Sequence, residues 1–299
     1  MKVVTLGLGR NKLSFWKSLG TSKTNCHNDG GKGELVLSQN YRLAFEGGLY
    51  NNNVIVIGKA GSGKTRGVMV PNVLQETGSY IINDPTSVIY DACGEALKAD
   101  GYNVIKVDAL KADTLDASDF DAASIGSTKT AVFITGKCSL EKCDRKAKLY
   151  SDLITDLEAC AHTLQNTVHL KVPVMFVLDD FASIGAIPDF YEKIATSRGY
   201  GISFLMTAQC FSQLEDTYPD DSYYPGYLGI LGCSDTMLLP GCGHSPDDKM
   251  SKYLTENGVD IARCNGYNDE VILVRGMKPI YDKTFGLRVN QKKAYASVQ

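Results

Sequence analysis

The run Val54-Ile55-Val56-Ile57-Gly58-Lys59-Ala60-Gly61-Ser62-Gly63-Lys64-Thr65 limits what this chain can fold into more than any other stretch. A short β-branched segment ends in Gly58, four free positions follow, and Gly63-Lys64-Thr65 closes the pattern G-x-x-x-x-G-K-[ST]. Glycines let successive backbone N–H groups turn inward around phosphate oxygens, which a side chain would obstruct. The loop then opens a helix whose first turn carries unpaired N–H donors and partial positive charge. In this arrangement Lys64 reaches the β- and γ-phosphates of a nucleotide and Thr65 offers its hydroxyl to Mg²⁺. The bland alternative is a glycine-rich turn before an ordinary helix. Four fixed positions recur by chance in roughly one chain of this length per hundred, and the apolar run in front makes chance rarer.

Composition agrees with a globular nucleotide-binding protein. The 299 residues are 43% hydrophobic and 22% charged, with a net charge of −3. That balance gives no global basic field, so any nucleic-acid contact must be local. No segment approaches the ~20 apolar residues of a membrane span, and residues 1–20 lack the apolar centre of an export signal. The nine cysteines are odd in number and form no C-x-x-C pair, which favours reduced thiols in the cytosol. Cys233, Cys242 and His244 lie near one another in sequence, but their spacing lacks the usual zinc knuckle.

The rest of the chain alternates. Residues 1–32 read as an irregular lead-in and 33–46 as a hairpin turning at Ser38-Gln39-Asn40. Helical spacing covers 65–76, where Pro71 should kink or end the first half, then 88–99, 144–165, 187–197 and 246–256. Apolar strands are expected at 54–57, 80–83, 104–107, 130–135, 172–178, 202–207 and finally 271–274. Strands alternating with helices predict an α/β fold: a mostly parallel sheet with helices on both faces.

Val174-Met175-Phe176-Val177-Leu178 ends in Asp179-Asp180. In phosphate-loop ATPases a second strand delivers acidic residues beside the nucleotide. Asp179 is assigned to the Mg²⁺ ion and Asp180 to the attacking water; a solvated carboxylate pair is the competing reading. Gln209, just past the strand at 202–207, can touch the γ-phosphate or its water. Arg198, taken alone, reads as a solvated arginine.

Together these segments resemble a known family. Gly58 to Thr65 with Pro71-Asn72, then Asn83-Asp84-Pro85, Leu178 to Gly185, Thr207-Ala208-Gln209 and Val274-Arg275-Gly276-Met277-Lys278-Pro279 look like the type IV coupling proteins, the TraG/TraD-type ATPases of conjugation and type IV secretion. The match runs from about 33 to 282. It implies a RecA-like P-loop NTPase over 33–299, binding ATP and Mg²⁺ and assembling as a hexameric ring at the cytoplasmic, inner face of the cell membrane. Such rings deliver relaxase-bound single-stranded DNA, or protein substrates, to the secretion channel. By matching position, Gly58, Gly61, Ser62, Gly63, Lys64 and Thr65 form the nucleotide cradle, with Thr65 and Asp179 toward the metal. Lys64, Asp180 and Gln209 form the catalytic set, and Arg198 is the arginine that a neighbouring subunit inserts.

Four departures accompany the resemblance. Membrane helices are absent from this sequence, so membrane contact is expected only through segments outside it. The family's all-helical domain is replaced by a short acidic linker at 108–129, holding Asp108, Asp113, Asp116, Asp119 and Asp121. Asp84-Pro85 is followed by Thr86 instead of lysine. Asp180 stands where glutamate is usual, and a carboxylate misplaced by about 1 Å costs on the order of 10²-fold in rate. Two readings follow: a translocation motor, with slow turnover because of Asp180, or an ATP-binding docking module that scarcely hydrolyses. A chromosome-partitioning or repair pump on the same fold is analogy only. Lys137, Lys142, Arg145, Lys146 and Lys148 are candidate DNA contacts, against the commoner reading of a solvated helix face.

Overall fold

Runs of Val, Ile and Phe with few polar interruptions make the central strands, because branched and aromatic side chains pack well on a pleated surface. The computed structural model describes residues 2–4, 34–44, 51–109, 115–136, 140–163, 168–220, 225–243, 248–264 and 266–286. In chain order the strands are β1 (Lys2–Val4), β2 (Glu34–Val36), β3 (Tyr41–Ala44), β4 (Val54–Ile57), β5 (Ser79–Asp84) and β6 (Asn103–Asp108). Then come β7 (Thr130–Thr135), β8 (Val174–Leu178), β9 (Ile202–Ala208), β10 (Thr236–Pro240), β11 (Asp269–Val274) and β12 (Ile280–Lys283). The helices are α1 (Val70–Val73), α2 (Val88–Ala99), α3 (Ala122–Ile125), α4 (Leu140–Thr163), α5 (Phe190–Thr196), α6 (Phe211–Thr217), α7 (Gly226–Gly232) and α8 (Asp248–Glu256).

Among the described residues the main sheet has nine strands in the order β12-β11-β10-β4-β9-β8-β5-β7-β6. From β10 to β6 every pairing is parallel, while β11 and β12 add antiparallel strands at one edge. Side chains alternate across the sheet. Ile55, Ile57, Phe176 and Phe204 pack with Tyr150, Leu153 and Leu157 of α4 on one face. Val54, Val56, Tyr80 and Val177 pack on the other with Val68 and Met69 and with Ile89 and Leu97 of α2. Burying each such large side chain contributes about 1.5–3 kcal/mol, so both faces must stay covered. This is the mostly parallel α/β architecture expected from the sequence.

A smaller sheet, β1-β3-β2, carries the hairpin, with β2 and β3 antiparallel and Ser38 to Asn40 at the turn. Within the stretch read as an irregular lead-in, β1 instead pairs in parallel with β3. The hairpin turn is tied to β12: Asp282 accepts hydrogen bonds from Ser38 Oγ, Asn40 N and Asn40 Nδ2, and Gln39 N donates to the Lys283 carbonyl at 2.8 Å.

Further details differ from the sequence expectation, which also holds no helix at α3, α6 or α7. The segment at 65–76 begins as a π-helical turn, Lys64–Met69, and becomes α-helical at α1, with Pro71 in its first turn. Pro71 has no N–H to give the Gly67 carbonyl, and Val70 N reaches Thr65 O, one residue further back than in an α-helix. β10 carries no clear strand pattern in the sequence because Met and Leu favour helix as readily as strand, yet all five of its residues are buried. β12 follows the strand taken as last; it is a half-exposed edge with mixed polarity, where pattern is weakest. In the acidic linker, Asp116 caps the 3₁₀ turn Ala117–Asp119 and Asp121 caps α3, so several of its carboxylates satisfy helix-end amides. Asp113 lies outside the described residues.

Candidate nucleotide site

Strand order places the loop and the carboxylates. β4 and β8 both end at the same edge of the sheet with only β9 between them, a separation of about 10 Å. That gap is wide enough for a phosphate group and a water between the loop after Ile57 and the acidic pair after Leu178.

The loop is built on glycine. Gly61 (φ 80°) and Gly63 (φ 90°) adopt left-handed backbone, which costs glycine least. A Cβ at Gly58 would stand 2.9 Å from the Pro240 carbonyl oxygen, so β10 closes directly on the loop. Lys64 Nζ donates to the carbonyls of Gly58 and of Lys59, the latter at 2.9 Å. Burial lowers the Lys64 pKa, opposed by the charges of Asp179 and Asp180. The Ser62 hydroxyl is covered and makes no hydrogen bond among the described residues.

Asp179 joins the two halves. Its Oδ2 accepts from Thr65 Oγ1 at 2.8 Å and its Oδ1 from Thr207 Oγ1 at 2.8 Å. The Asn83 side chain donates to its carbonyl, and Tyr150 Oη donates to Asn83 Oδ1 at 3.2 Å. Burial raises the Asp179 pKa, while the two threonine hydroxyls and Lys64 pull it back down. A hydroxyl and a carboxylate are hard oxygen ligands suited to Mg²⁺. Neighbouring ligands of an octahedron with ~2.1 Å bonds lie about 3.0 Å apart, close to the observed Thr65–Asp179 spacing.

Asp180 follows in left-handed backbone (φ 52°, ψ 51°), and its N–H donates to Thr207 Oγ1 at 2.8 Å. Gln209 is exposed beside the loop: its predecessor Ala208 accepts from Gly58 N at 3.1 Å, and Gln209 N donates to Gln213 Oε1 at 2.9 Å. Thus the fold gathers Gly58 to Thr65, Asp179, Asp180 and Gln209 at one edge. Arg198 is not with them. It is exposed in the turn Ser197–Tyr200, at the amino end of the seven-residue β9, about 20 Å of strand from the loop.

Three participants carried no assigned role in the sequence reading. Thr207 and Asn83 were visible only as part of the quoted motifs, and their hydroxyl and amide hold the acidic strand end. Asp84, fully buried beside Asp179, accepts from Tyr90 N at 2.8 Å and is raised in pKa by burial. Thr86, in the place of the family's lysine, is exposed. The lysine cluster is not a single surface: Lys146 is buried and donates to the Gly136 carbonyl at 3.4 Å, Lys148 pairs with Asp152, and Lys137 lies outside the described residues. Among the described residues no three His, Cys, Asp or Glu gather as a metal cluster, and His244 lies outside them. No described helix is long and apolar enough to cross a membrane.

A parallel sheet with a glycine loop and an acidic strand end on one edge defines a P-loop NTPase of the RecA-like α/β kind. The chain belongs to the type IV secretory system conjugative DNA transfer family, whose family model matches residues 19–117 and 112–223. A comparison with curated proteins found no match. Among solved structures, the bacterial conjugative coupling protein TrwBdeltaN70 in its unbound monoclinic form superposes with a TM-score of 0.56 and 10% identity, over 78% of this chain and 84% of that one. VirB4 of Thermoanaerobacter pseudethanolicus gives 0.54 at 13% identity, over 87% of this chain and 98% of that one. Plasmid coupling protein TrwB in complex with ADP and Mg²⁺ gives 0.55 at 11% identity, over 78% and 85%. At these identities the likeness is one of fold.

Proposed function

We propose that this chain is an ATP-hydrolysing coupling-protein motor that delivers single-stranded DNA with its relaxase, or protein substrates, to a type IV secretion channel from the cytoplasmic side. The observation that carries the reading is the 2.8 Å bond from Thr65 to Asp179, across 114 residues of sequence. It ties the phosphate loop to the acidic strand in the way a shared magnesium demands. The family and the neighbours' fold support the same reading.

In this reading Lys64 leaves the carbonyls of Gly58 and Lys59 for phosphate oxygens, and Ser62 and the loop amides complete the cradle. Thr65 and Asp179 hold Mg²⁺, which when bound neutralises charge on the phosphate oxygens. Asp180 accepts the proton of the attacking water, and Gln209 orients that water against the γ-phosphate. Arg198 lies too far from its own loop to serve it, which supports its delivery to a neighbour's site within a ring. A hexamer satisfies that requirement, with Arg198 of each subunit neutralising transition-state charge in the next.

The test is ATPase activity against protein concentration, with and without single-stranded DNA. A motor gives a rate per subunit that rises with concentration and with DNA, and Lys64→Ala abolishes it. Unchanged turnover in Lys64→Ala would remove the site assignment. A second reading, a docking module that binds ATP and barely turns it over, is favoured by the shorter acid at Asp180. It expects no hydrolysis in wild type or in Asp180→Glu.

A further inference from the structure

Tyr267 stands over the phosphate loop and is given no task by the chemistry above. It is 63% exposed, one of three large hydrophobic side chains so exposed among the described residues. Its hydroxyl donates to the Gly61 carbonyl at 2.9 Å. A Cβ on Gly61 would come within 3.1 Å of that hydroxyl, a tight approach that glycine leaves open.

The turn carrying Tyr267 is firmly held. Asp269 accepts from Gly266 N at 2.6 Å and pairs with Lys283 of β12 at 2.8 Å. The Asp269 carbonyl accepts from Gly241 N at 2.8 Å, which fixes the turn to the exit of β10. Gly241 in turn borders Ser62: a Cβ there would lie 3.8 Å from Ser62 Cβ. An exposed aromatic ring is thus fixed beside the loop by groups that are themselves anchored in the sheet.

Its side of the loop is the informative point. Strand β9 flanks β4 on one side and leads toward Asp180 and Gln209; β10 and β11 flank it on the other and lead to Tyr267. A γ-phosphate drawn to the carboxylate flank leaves the α-phosphate and nucleoside on the opposite flank. We infer that the ring of Tyr267 is the stacking platform for the purine base of the bound nucleoside triphosphate. The inference rests on the loop binding the triphosphate, as proposed above. Stacking of a base on an aromatic side chain is tolerant of base identity and contributes enough for about a tenfold change in affinity on its loss.

The experiment compares Mg·ATP with inorganic tripolyphosphate, which has the phosphates and no base, by calorimetric titration. Wild type is expected to hold ATP about tenfold tighter than tripolyphosphate. Tyr267→Ala should lose that margin while tripolyphosphate affinity stays within about twofold, and Tyr267→Phe should keep it. The fluorescence of 2-aminopurine riboside triphosphate should be quenched by wild type and Tyr267→Phe, and not by Tyr267→Ala. If Tyr267→Ala weakens ATP and tripolyphosphate equally, the residue is a brace for the loop and the platform is overturned. An ATP margin and quenching untouched in Tyr267→Ala overturn it as well. Wild type that fails to bind tripolyphosphate, or binds it no better than Lys64→Ala, would instead bring down the phosphate-loop reading beneath it.

Discussion

Asp180 explains one of the family departures in backbone terms. Left-handed φ/ψ is several-fold enriched in Asp and Asn over longer side chains, and Asp180 occupies φ 52° with its N–H spent on Thr207. The shorter acid suits a sharp reversal directly after Asp179. Asparagine tolerates the same backbone but cannot accept a proton, so Asp180→Asn is expected to keep the melting temperature and lower ATP turnover by about 10²-fold or more. Steady-state hydrolysis beside a thermal melt checks this, and equal turnover would take the base role from Asp180. The glycine loop was legible because it is contiguous, and the acids beside it because they terminate an apolar strand. Thr207 and Tyr267 were not, since their partners Asp179 and Gly61 lie 28 and 206 residues away in the chain and meet only after folding.

Elements were legible where hydrophobic pattern and length agreed, as in α2 and β7, and illegible where neighbours overrode local preference. β10 is strand because β4 and β11 supply hydrogen-bond partners on both sides. The antiparallel edge also buries Glu270 completely, with neither carboxylate oxygen hydrogen-bonded among the described residues. Burial, with Asp282 opposite in the ladder, raises the Glu270 pKa well above its ordinary 4.5. The folded chain therefore retains a proton that the unfolded chain releases. By linkage, stability falls as pH rises from about 4.5 toward the folded value. Glu270→Gln should flatten that decline and raise the melting temperature at pH 8, relative to its effect at pH 5, by about 3 °C. Melts across that range check it; identical slopes would show that Glu270 ionises freely in the fold. The π-helical start at Lys64 has a related cause, since Pro71 withholds a donor and the turn widens where the loop meets its helix.

On the scale of the whole molecule, the chain holds the loop, the acids and Gln209 at one edge of the sheet and Arg198 at the other. Mixing variants tests the proposed division of labour. Arg198→Ala alone should bind ATP normally and lose about 10³-fold in turnover, and Lys64→Ala alone should be inactive. Mixed together, the two should regain activity, because a Lys64→Ala subunit can lend its arginine to the intact loop of its neighbour. A mixture as inactive as its components would place Arg198 outside catalysis. One further feature links the site to the rest of the chain. Just past β12, the Thr284 methyl and Phe285 carbonyl lie where a Cβ on Gly67 would come within 2.6 and 3.1 Å, while Asp282 holds the turn of the hairpin. The loop's helix and the small sheet thus share a single knot, so any shift of that helix would be felt on a surface remote from the loop.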